Sequence, residues 1–287
     1  MTPNVSMFKT PAIKTRVNSP IIPSDQEWEA ARSVQERIFP AVRPKIPGLD
    51  YYGVWRPARG VSGDYIDYFA MNAGNLGLAV GDVSGKGLPA ALLTSSLYSA
   101  IRALRFTQSS SLPELVRSIH ELFYEICPDN GYATLFVARF DPAGHRLHYV
   151  NAGHEPPFVL RKNGQHYRTI FLESGGPVIG MLRKSSYREG VVSVNPGDLM
   201  VAYTDGLCET RNQRGEQWGW PRFLEKVESC AEARARDIVD AVMRETETFA
   251  AGAPQFDDVT LWVGKVEDAA ADDPLWEAEC VEVAVAA

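Results

Sequence analysis

The sequence lacks long apolar runs, closely spaced cysteines and an excess of basic charge. No stretch reaches the roughly eighteen apolar residues that a membrane-spanning helix needs, so we expect no membrane segment. A net charge of −7 argues against a nucleic-acid-binding protein, because such proteins usually carry a basic surface. The cysteines form no CxxC pair and predict reduced thiols rather than a disulfide framework or zinc site: Cys127, Cys208, Cys230 and Cys280.

The N-terminal region also lacks the apolar segment of a secretory signal, which favours a cytoplasmic protein. Residues 1–23 are polar and proline-rich without periodicity, and this composition predicts a flexible arm. Residues 267–287 are acidic and alanine-rich and predict a disordered tail.

Residues 24–40 predict one helix ahead of the main domain. Ser24 and Glu27 have the spacing of a capping box, and Pro40 ends the helical pattern. The apolar residues of this segment form only a narrow stripe: Trp28, Ala31, Val34 and Ile38. Such a stripe fits a helix that lies on its own domain, or one that dimerises or binds a regulatory partner.

Residues 41–266 predict one α+β domain. Three strands are expected between residues 49 and 83, with turns at 59–63 and 72–75. Two helices, 87–106 and Leu112–Ile126, come next. The remaining predicted elements are strands 132–140, 146–151, 157–161, 166–172, 187–194 and 198–204, helices 220–228 and 235–249, and a last strand, 257–266. Strands joined by hairpins, with helices in pairs, favour antiparallel sheets.

Four aspartates, Asp64, Asp82, Asp205 and Asp257, are the candidate functional residues. Side chains alternate between the two faces of a strand, so residues of equal parity share a face. Each aspartate has the parity of apolar residues in its predicted strand, and we therefore expect all four to point to the interior. A buried carboxylate must be paired or bind metal, because an isolated charge is costly there.

The ends of the predicted strands also bring these acids together. A hairpin that turns at residues 72–75 places Asp64 opposite Asp82, with Cβ atoms about 4.5–5.5 Å apart. Carboxylates that close repel each other unless a proton or cation lies between them, and Mg²⁺ and Mn²⁺ prefer carboxylate oxygens. Helix caps or turn aspartates remain the alternative for any one of these residues.

The segment that follows Asp82 leaves a strand and enters a helix through Gly85 and Gly87. Its spacing is not that of a Walker loop. Lys86 lies near the predicted helix N-terminus, where it either contacts a substrate phosphate or remains a solvated loop lysine.

Five short motifs, in the same order, resemble the bacterial SpoIIE/RsbU branch of the Mg/Mn-dependent PPM serine/threonine phosphatases, relatives of protein phosphatase 2C. The motifs are VSGDYID at 61–67, GDVSGKGLPAA at 81–91, NAGHEPP at 151–157, YTDGLCE at 203–209 and FDDVTL at 256–261. The resemblance extends over about residues 25–266.

This resemblance implies an αββα sandwich of two antiparallel sheets flanked by helices, with two divalent ions, Mn²⁺ or Mg²⁺, at one edge. By position it assigns metal binding to Asp64, Asp82, the Val83 carbonyl, Asp205 and Asp257. It places Lys86, Gly206 and Asp258 next to these ligands or to the phosphate. Strand parity also chooses Asp257 over Asp258, because Asp258 shares a face with Thr260 and Trp262.

Some residues depart from the family pattern or take no direct part in it. Glu155 and Cys208 replace residues that are common in relatives, and neither is an expected ligand. The phosphate-gripping arginine and acid histidine of the eukaryotic enzymes have no evident counterpart. His154 is expected to have a structural role in a turn, and Asp67 to be a surface residue or a neighbour of the ligands.

The resemblance implies hydrolysis of phosphoserine or phosphothreonine by a hydroxide shared between two ions roughly 3.5–4 Å apart, without a covalent intermediate. In this branch the typical substrate is a phosphorylated STAS-type anti-sigma-factor antagonist in bacterial signalling or stress. Two alternatives are open: a catalytically inactive pseudophosphatase that acts as a protein-binding module, and another two-metal hydrolase such as a nuclease. The acidic charge disfavours the nuclease.

Overall fold

The structure is a computed structural model that describes residues 23–40, 42–71, 74–104, 111–268 and 279–280. Almost all of the predicted arm and most of the predicted tail lie outside the described residues, as does part of the predicted turn at 72–75. Of the helices in the described part of the chain, none is long and apolar enough to cross a membrane.

The helices are α1 (Asp25–Glu36), α2 (Leu88–Leu104), α3 (Leu112–Ile126), α4 (Asp205–Glu209), α5 (Gly219–Ser229) and α6 (Ala235–Ala250). The strands are β1 (Val42–Arg43), β2 (Leu49–Arg56), β3 (Asp64–Ala70), β4 (Leu76–Val83), β5 (Ala133–Asp141), β6 (Arg146–Ala152), β7 (Phe158–Asn163), β8 (His166–Phe171), β9 (Gly175–Gly176), β10 (Gly190–Ser193), β11 (Leu199–Tyr203), β12 (Val259–Val266) and β13 (Glu279–Cys280). The predicted strands between residues 49 and 266 are present with slightly shifted ends. The short elements β1, β9, β13 and α4 were not predicted.

Two sheets form the centre of the fold. The first has the strand order β10-β6-β5-β4-β3, and β9 adds a short parallel pairing to β6. The second has the order β2-β12-β11-β7-β8 and is antiparallel throughout. β1 and β13 pair separately. With helices packed on both outer faces, the predicted αββα sandwich is confirmed.

The sandwich has three apolar layers, because each sheet is apolar on both faces. Residues such as Ile66 and Trp262 fill the space between the sheets. Leu97 of α2 belongs to the layer that covers the first sheet, and Phe223 of α5 to the layer that covers the second. Parity along a strand therefore separates two buried faces, and it does not distinguish buried from exposed.

Helix α1 lies on its own domain. Its predicted capping box is present: Ser24 Oγ accepts a hydrogen bond from the Glu27 N–H, and the Ser24 N–H donates to Glu27 Oε2. Gln35 is buried, and its amide donates to the Ser62 carbonyl (2.7 Å) and accepts from the Ser62 N–H (2.8 Å). These two bonds tie α1 to the segment that leads into Asp64. A dimerising or partner-binding role for residues 24–40 stays a prediction.

Candidate active site

Asp64 and Asp82 are direct cross-strand partners in the β3–β4 hairpin. The register predicted from the sequence is therefore confirmed. Asp64 is only 2% exposed, and Asp82 lies next to it in a partly exposed position. Because opposed side chains in an antiparallel pair are close neighbours, the two carboxyl groups interact directly.

The second sheet holds the carboxyl group of Asp64 in place. Thr204, at the end of β11, donates from Oγ1 to Asp64 Oδ2 (2.8 Å), and Thr260 of β12 donates to the same oxygen (2.6 Å). Neither threonine stands out as a functional residue in the sequence. The available signal was their position inside the motifs at 203–209 and 256–261.

The acids at this edge raise one another's pKa values. Burial raises the pKa of Asp64 well above its usual value, and the neighbouring charges of Asp82 and Asp258 raise it further. Burial, followed by the neighbouring charges of Asp205 and Asp257, raises the pKa of Asp82 to about 7. The pKa of Asp205 is raised by partial burial, then by Glu209 and Asp257. Full ionisation of these groups at neutral pH is therefore unfavourable, and a bound cation would favour it.

Asp205 and Asp257 lie near this edge, but not in the strand positions that parity predicts for them. Asp205 begins α4 rather than ending β11, and Asp257 lies two residues before β12. The apolar residues that share their parity, such as Tyr203 and Leu261, face the α5 and α6 layer. The prediction that parity points all four acids into one interior is therefore wrong. Both residues stand beyond the ends of their strands, where alternation no longer sets the direction of a side chain.

Asp258 fixes the loop that precedes Asp64. Its Oδ1 accepts from the Ala58 N–H and its Oδ2 from the Gly63 N–H, each at 2.7 Å. Gly206 packs against the same segment, and a Cβ at that position would lie 2.0 Å from the Asp258 carbonyl oxygen. Only glycine therefore permits this approach of α4 to residues 257 and 258.

The carbonyl of Val83, the expected backbone ligand, lies beside the same loop. A Cβ built on Gly63 would be 3.0 Å from the Val83 oxygen. A side chain at position 63 would therefore crowd this carbonyl, and the glycine keeps the space beside it open.

Lys86 makes contacts that neither interpretation of the sequence anticipated. Its Nζ donates to Asp257 Oδ2 (2.7 Å) and to the Phe256 carbonyl (3.0 Å), and it lies 4.0 Å from the centre of the Phe256 ring. The lysine thus balances the charge of Asp257 in this structure.

Asp67 is neither a surface residue nor a neighbour of the ligands, and that prediction is wrong. It is fully buried, forms an ion pair with Arg102 of α2 and accepts a hydrogen bond from the Tyr65 hydroxyl (3.0 Å). Its parity places it on the helix-covered face of β3, opposite to the face of Asp64. Arg102 lies 35 residues further along the chain, and this separation hid the pairing from the sequence analysis.

His154 has the structural environment expected for it. Asn151 Oδ1 accepts from the His154 N–H (2.7 Å), and Asn151 Nδ2 donates to the His154 carbonyl (3.0 Å). Burial lowers the pKa of His154 to about 4. The imidazole is therefore neutral at physiological pH, and His154 has a structural role in the turn.

The residues at this edge fit a hard divalent cation in charge and donor type. They offer carboxylate oxygens, and the repulsion between Asp64 and Asp82 is what such a cation would relieve. Within the described ranges, no three Asp, Glu, His or Cys side chains already stand in an arrangement that could hold an ion. Among the described residues, Asp257 pairs instead with the Lys86 ammonium group.

Comparisons with known proteins agree with this fold. The sequence model of the family described as stage II sporulation protein E (SpoIIE) matches residues 72–267. Protein IcfG of Synechocystis sp. is 29% identical over 261 residues, which cover 82% of this chain and 40% of the relative. Phosphoserine phosphatase RsbU of Bacillus subtilis is 27% identical over 221 residues, covering 76% of this chain and 65% of RsbU. The chain thus spans between 40% and 65% of these two relatives.

Solved structures show the same architecture. The RsbU and RsbW domains of Rv1364c from Mycobacterium tuberculosis match with a TM-score of 0.66 and 26% identity, over 82% of this chain and 64% of that one. The SiaA-PP2C domain of Pseudomonas aeruginosa matches with a TM-score of 0.71 over 84% of this chain and 96% of that one, and at 18% identity it supports the fold alone. The chain belongs to the SpoIIE family, within the RsbU-containing branch of the PPM phosphatases.

Proposed function

We propose that this chain is a metal-dependent phosphatase that hydrolyses phosphoserine or phosphothreonine in proteins. The observation that carries the proposal is the acidic edge, where Asp64 and Asp82 face each other and Asp205 and Asp257 are charged neighbours. Membership of the SpoIIE family and the similarity to a phosphoserine phosphatase support it.

In this proposal Asp64, Asp82, the Val83 carbonyl, Asp205 and Asp257 hold two divalent cations, Mn²⁺ or Mg²⁺. When bound, such ions lower the pKa of a shared water and neutralise charge on the phosphoryl oxygens. The chemistry of the donors supports this role, because carboxylate and carbonyl oxygens suit both ions.

The remaining residues position these groups and receive the phosphate. Thr204 and Thr260 hold Asp64, and Asp258 fixes the loop before it. Lys86 precedes the N-terminus of α2, where an anion is favoured, and once released from Asp257 its ammonium group can meet a phosphoryl oxygen. His154 does not supply the proton for the leaving oxygen, because it is buried and neutral.

We place the substrate among phosphorylated STAS-type anti-sigma-factor antagonists, as the resemblance to the SpoIIE/RsbU branch implies. The cellular role is then regulation of a sigma factor in a bacterial signalling or stress pathway, and the site of action is the cytoplasm. Residues 24–40 are the proposed contact for a regulatory partner or a second copy of the chain.

The test is Mn²⁺-dependent hydrolysis of p-nitrophenyl phosphate and of a phosphoserine protein by the full chain. We expect turnover that chelation abolishes, loss of turnover in Asp82→Asn, and full turnover in the control Asp237→Asn on the exposed side of α6. Absence of turnover with metal demonstrably bound would leave the pseudophosphatase alternative. Preferential hydrolysis of DNA or of a phosphodiester in a parallel assay would favour another two-metal hydrolase.

A further inference from the structure

A groove of about 300 Å³ opens beside the acidic edge. It lies between the end of β2, α4, α6 and the loop before β12, and it shares Gly206 and Asp257 with the candidate active site. We call it the Arg211 groove, and its principal lining residues are Arg56, Arg211, Met243, Glu247, Phe256 and Asp257.

The charges that line this groove are balanced, with one exception. Arg56 forms an ion pair with Glu247, and Asp257 forms one with Lys86. The Arg211 guanidinium lies 4.9 Å from the centre of the Phe256 ring and has no carboxylate partner among the residues that the structure describes. It is therefore the cation that is available to a ligand.

Hydrogen bonds fix the backbone on both sides of Arg211, and its guanidinium lies over the Phe256 ring. Its neighbours pair in a short hairpin, in which Thr210 O accepts from the Trp218 N–H (2.8 Å) and the Asn212 N–H donates to Glu216 O (3.0 Å). The Phe256 side chain is 51% exposed and offers its ring to the guanidinium. A cation held in this way loses little freedom on binding, which favours affinity and selectivity.

We propose that Arg211 binds an acidic side chain of the substrate protein, at a position close in sequence to the phosphoserine. This inference rests on the proposed function and assigns its substrate class: phosphoserine flanked by Asp or Glu. The guanidinium fork matches a carboxylate in geometry and charge.

The position of the groove supports this occupant. Asp257 belongs both to the acidic edge and to the groove, so the two sites are continuous. An extended peptide advances about 3.3 Å per residue, and a side chain a few positions from the phosphoserine therefore reaches the groove. Buried Met243 and Val259 supply apolar surface for the stem of that side chain.

The experiment compares two phosphoserine peptides that differ only in having Glu or Lys at the flanking positions. Hydrolysis of both is measured with the full chain and Mn²⁺. We expect wild type to prefer the Glu peptide in kcat/KM, and Arg211→Glu to change the ratio of the two values by about tenfold toward the Lys peptide. The control is Arg214→Glu, which reverses an exposed charge on the same hairpin outside the groove and should keep the wild-type ratio.

Binding of the unphosphorylated peptides, measured by fluorescence anisotropy without added metal, separates the two proposals. Affinities that depend on Arg211, together with no Mn²⁺-dependent hydrolysis of either phosphoserine peptide, would overturn the proposed function and retain the groove. Hydrolysis of both peptides at a ratio that Arg211→Glu leaves unchanged would overturn the groove and retain the function. Binding that appears only after the chain is cut behind Asp268 would show that its own acidic C-terminal residues fill the groove, and this too would overturn the inference.

Discussion

Asp64 and Asp82 occupy directly opposed positions on β3 and β4, and the hydroxyls that hold Asp64 come from the other sheet. The first sheet thus supplies the pair of like charges, and Thr204 and Thr260 of the second sheet orient one of them. Formation of this edge therefore depends on the docking of the two sheets. Its electrostatic repulsion is a cost that the folded protein carries until protons or cations bind.

The first prediction concerns the pH dependence of the metal-free protein. The folded-state pKa of Asp82 is about 7, far above its value in an unfolded chain, so the folded state binds more protons between about pH 4 and pH 7. Stability from this group is present at low pH and is lost as the pH rises through that window. As the pH rises from 5 to 8, we expect the free energy of unfolding of Asp82→Asn to increase by about 2 kcal/mol relative to that of wild type.

Urea unfolding of both proteins in EDTA measures this difference. The comparison with Asp82→Asn is needed because buried His154, with a pKa lowered to about 4, makes a contribution to stability that increases with pH over part of the same range. Mn²⁺ should stabilise wild type most at high pH. At any pH it should stabilise Asp82→Asn less than it stabilises wild type. A difference between the two proteins that does not change with pH would contradict the assignment.

The second prediction concerns the hydroxyl of Thr260. Thr260→Val keeps the shape of the side chain and removes a hydrogen bond to Asp64, which should cost about 1–3 kcal/mol of stability. Because the carboxyl group is then less well oriented, we also expect metal affinity to fall about 10- to 100-fold, as measured by Mn²⁺ titration.

The control for this change is Thr246→Val on α6. Thr246 is also buried, but its hydroxyl donates to the Val242 carbonyl within its own helix. We expect this variant to bind Mn²⁺ as wild type does. Equal losses of metal affinity in the two variants would show that the bond to Asp64 has no special role.

The register of the acidic edge could be predicted from the sequence, whereas the direction of two of its acids could not. Asp64 and Asp82 follow from the period of a strand and the midpoint of a hairpin, both of which are local. For Asp205 and Asp257 the same period was misleading, because helices cover the outer face of the second sheet and make it as apolar as the inner face. In addition, β11 ends before Asp205 and β12 begins only after Asp257, and no sequence pattern marked those two strand ends.

The residues that were missed act through contacts distant in sequence. Thr260 is 196 residues from the aspartate it holds, and Arg102 is 35 residues from Asp67. Neutral hydroxyls and single arginines occur on any surface, so their residue type alone indicates nothing. Their roles emerge only when packing brings the partners together.

The third prediction separates the paired acids Asp257 and Asp258. Asp257→Asn should abolish metal-dependent activity and change stability by less than about 1 kcal/mol, because its pair with Lys86 is partly exposed. Asp258→Asn should retain measurable activity and lose about 1–3 kcal/mol, because an amide offers one oxygen to the N–H groups of Ala58 and Gly63. Phosphatase assays and thermal unfolding of both variants provide the check. The opposite pattern would move the proposed ligand to the second acid.

The fourth prediction concerns the attachment of α1. Gln35→Ala removes two buried hydrogen bonds and leaves the N–H and carbonyl of Ser62 without these partners, which should cost about 2 kcal/mol. The helix should then separate from the domain more often, so trypsin should cut faster at Arg32 and Arg37. Activity should also fall, because Ser62 leads directly into Gly63 and Asp64.

The control, Glu36→Ala, removes only the exposed pair with Arg32 on the same helix and should cost less than about 0.5 kcal/mol. If the two variants are cut at equal rates, the bonds between Gln35 and Ser62 do not hold the helix, and contacts such as that of Trp28 with the loops around Gly60 and Gly87 must do so.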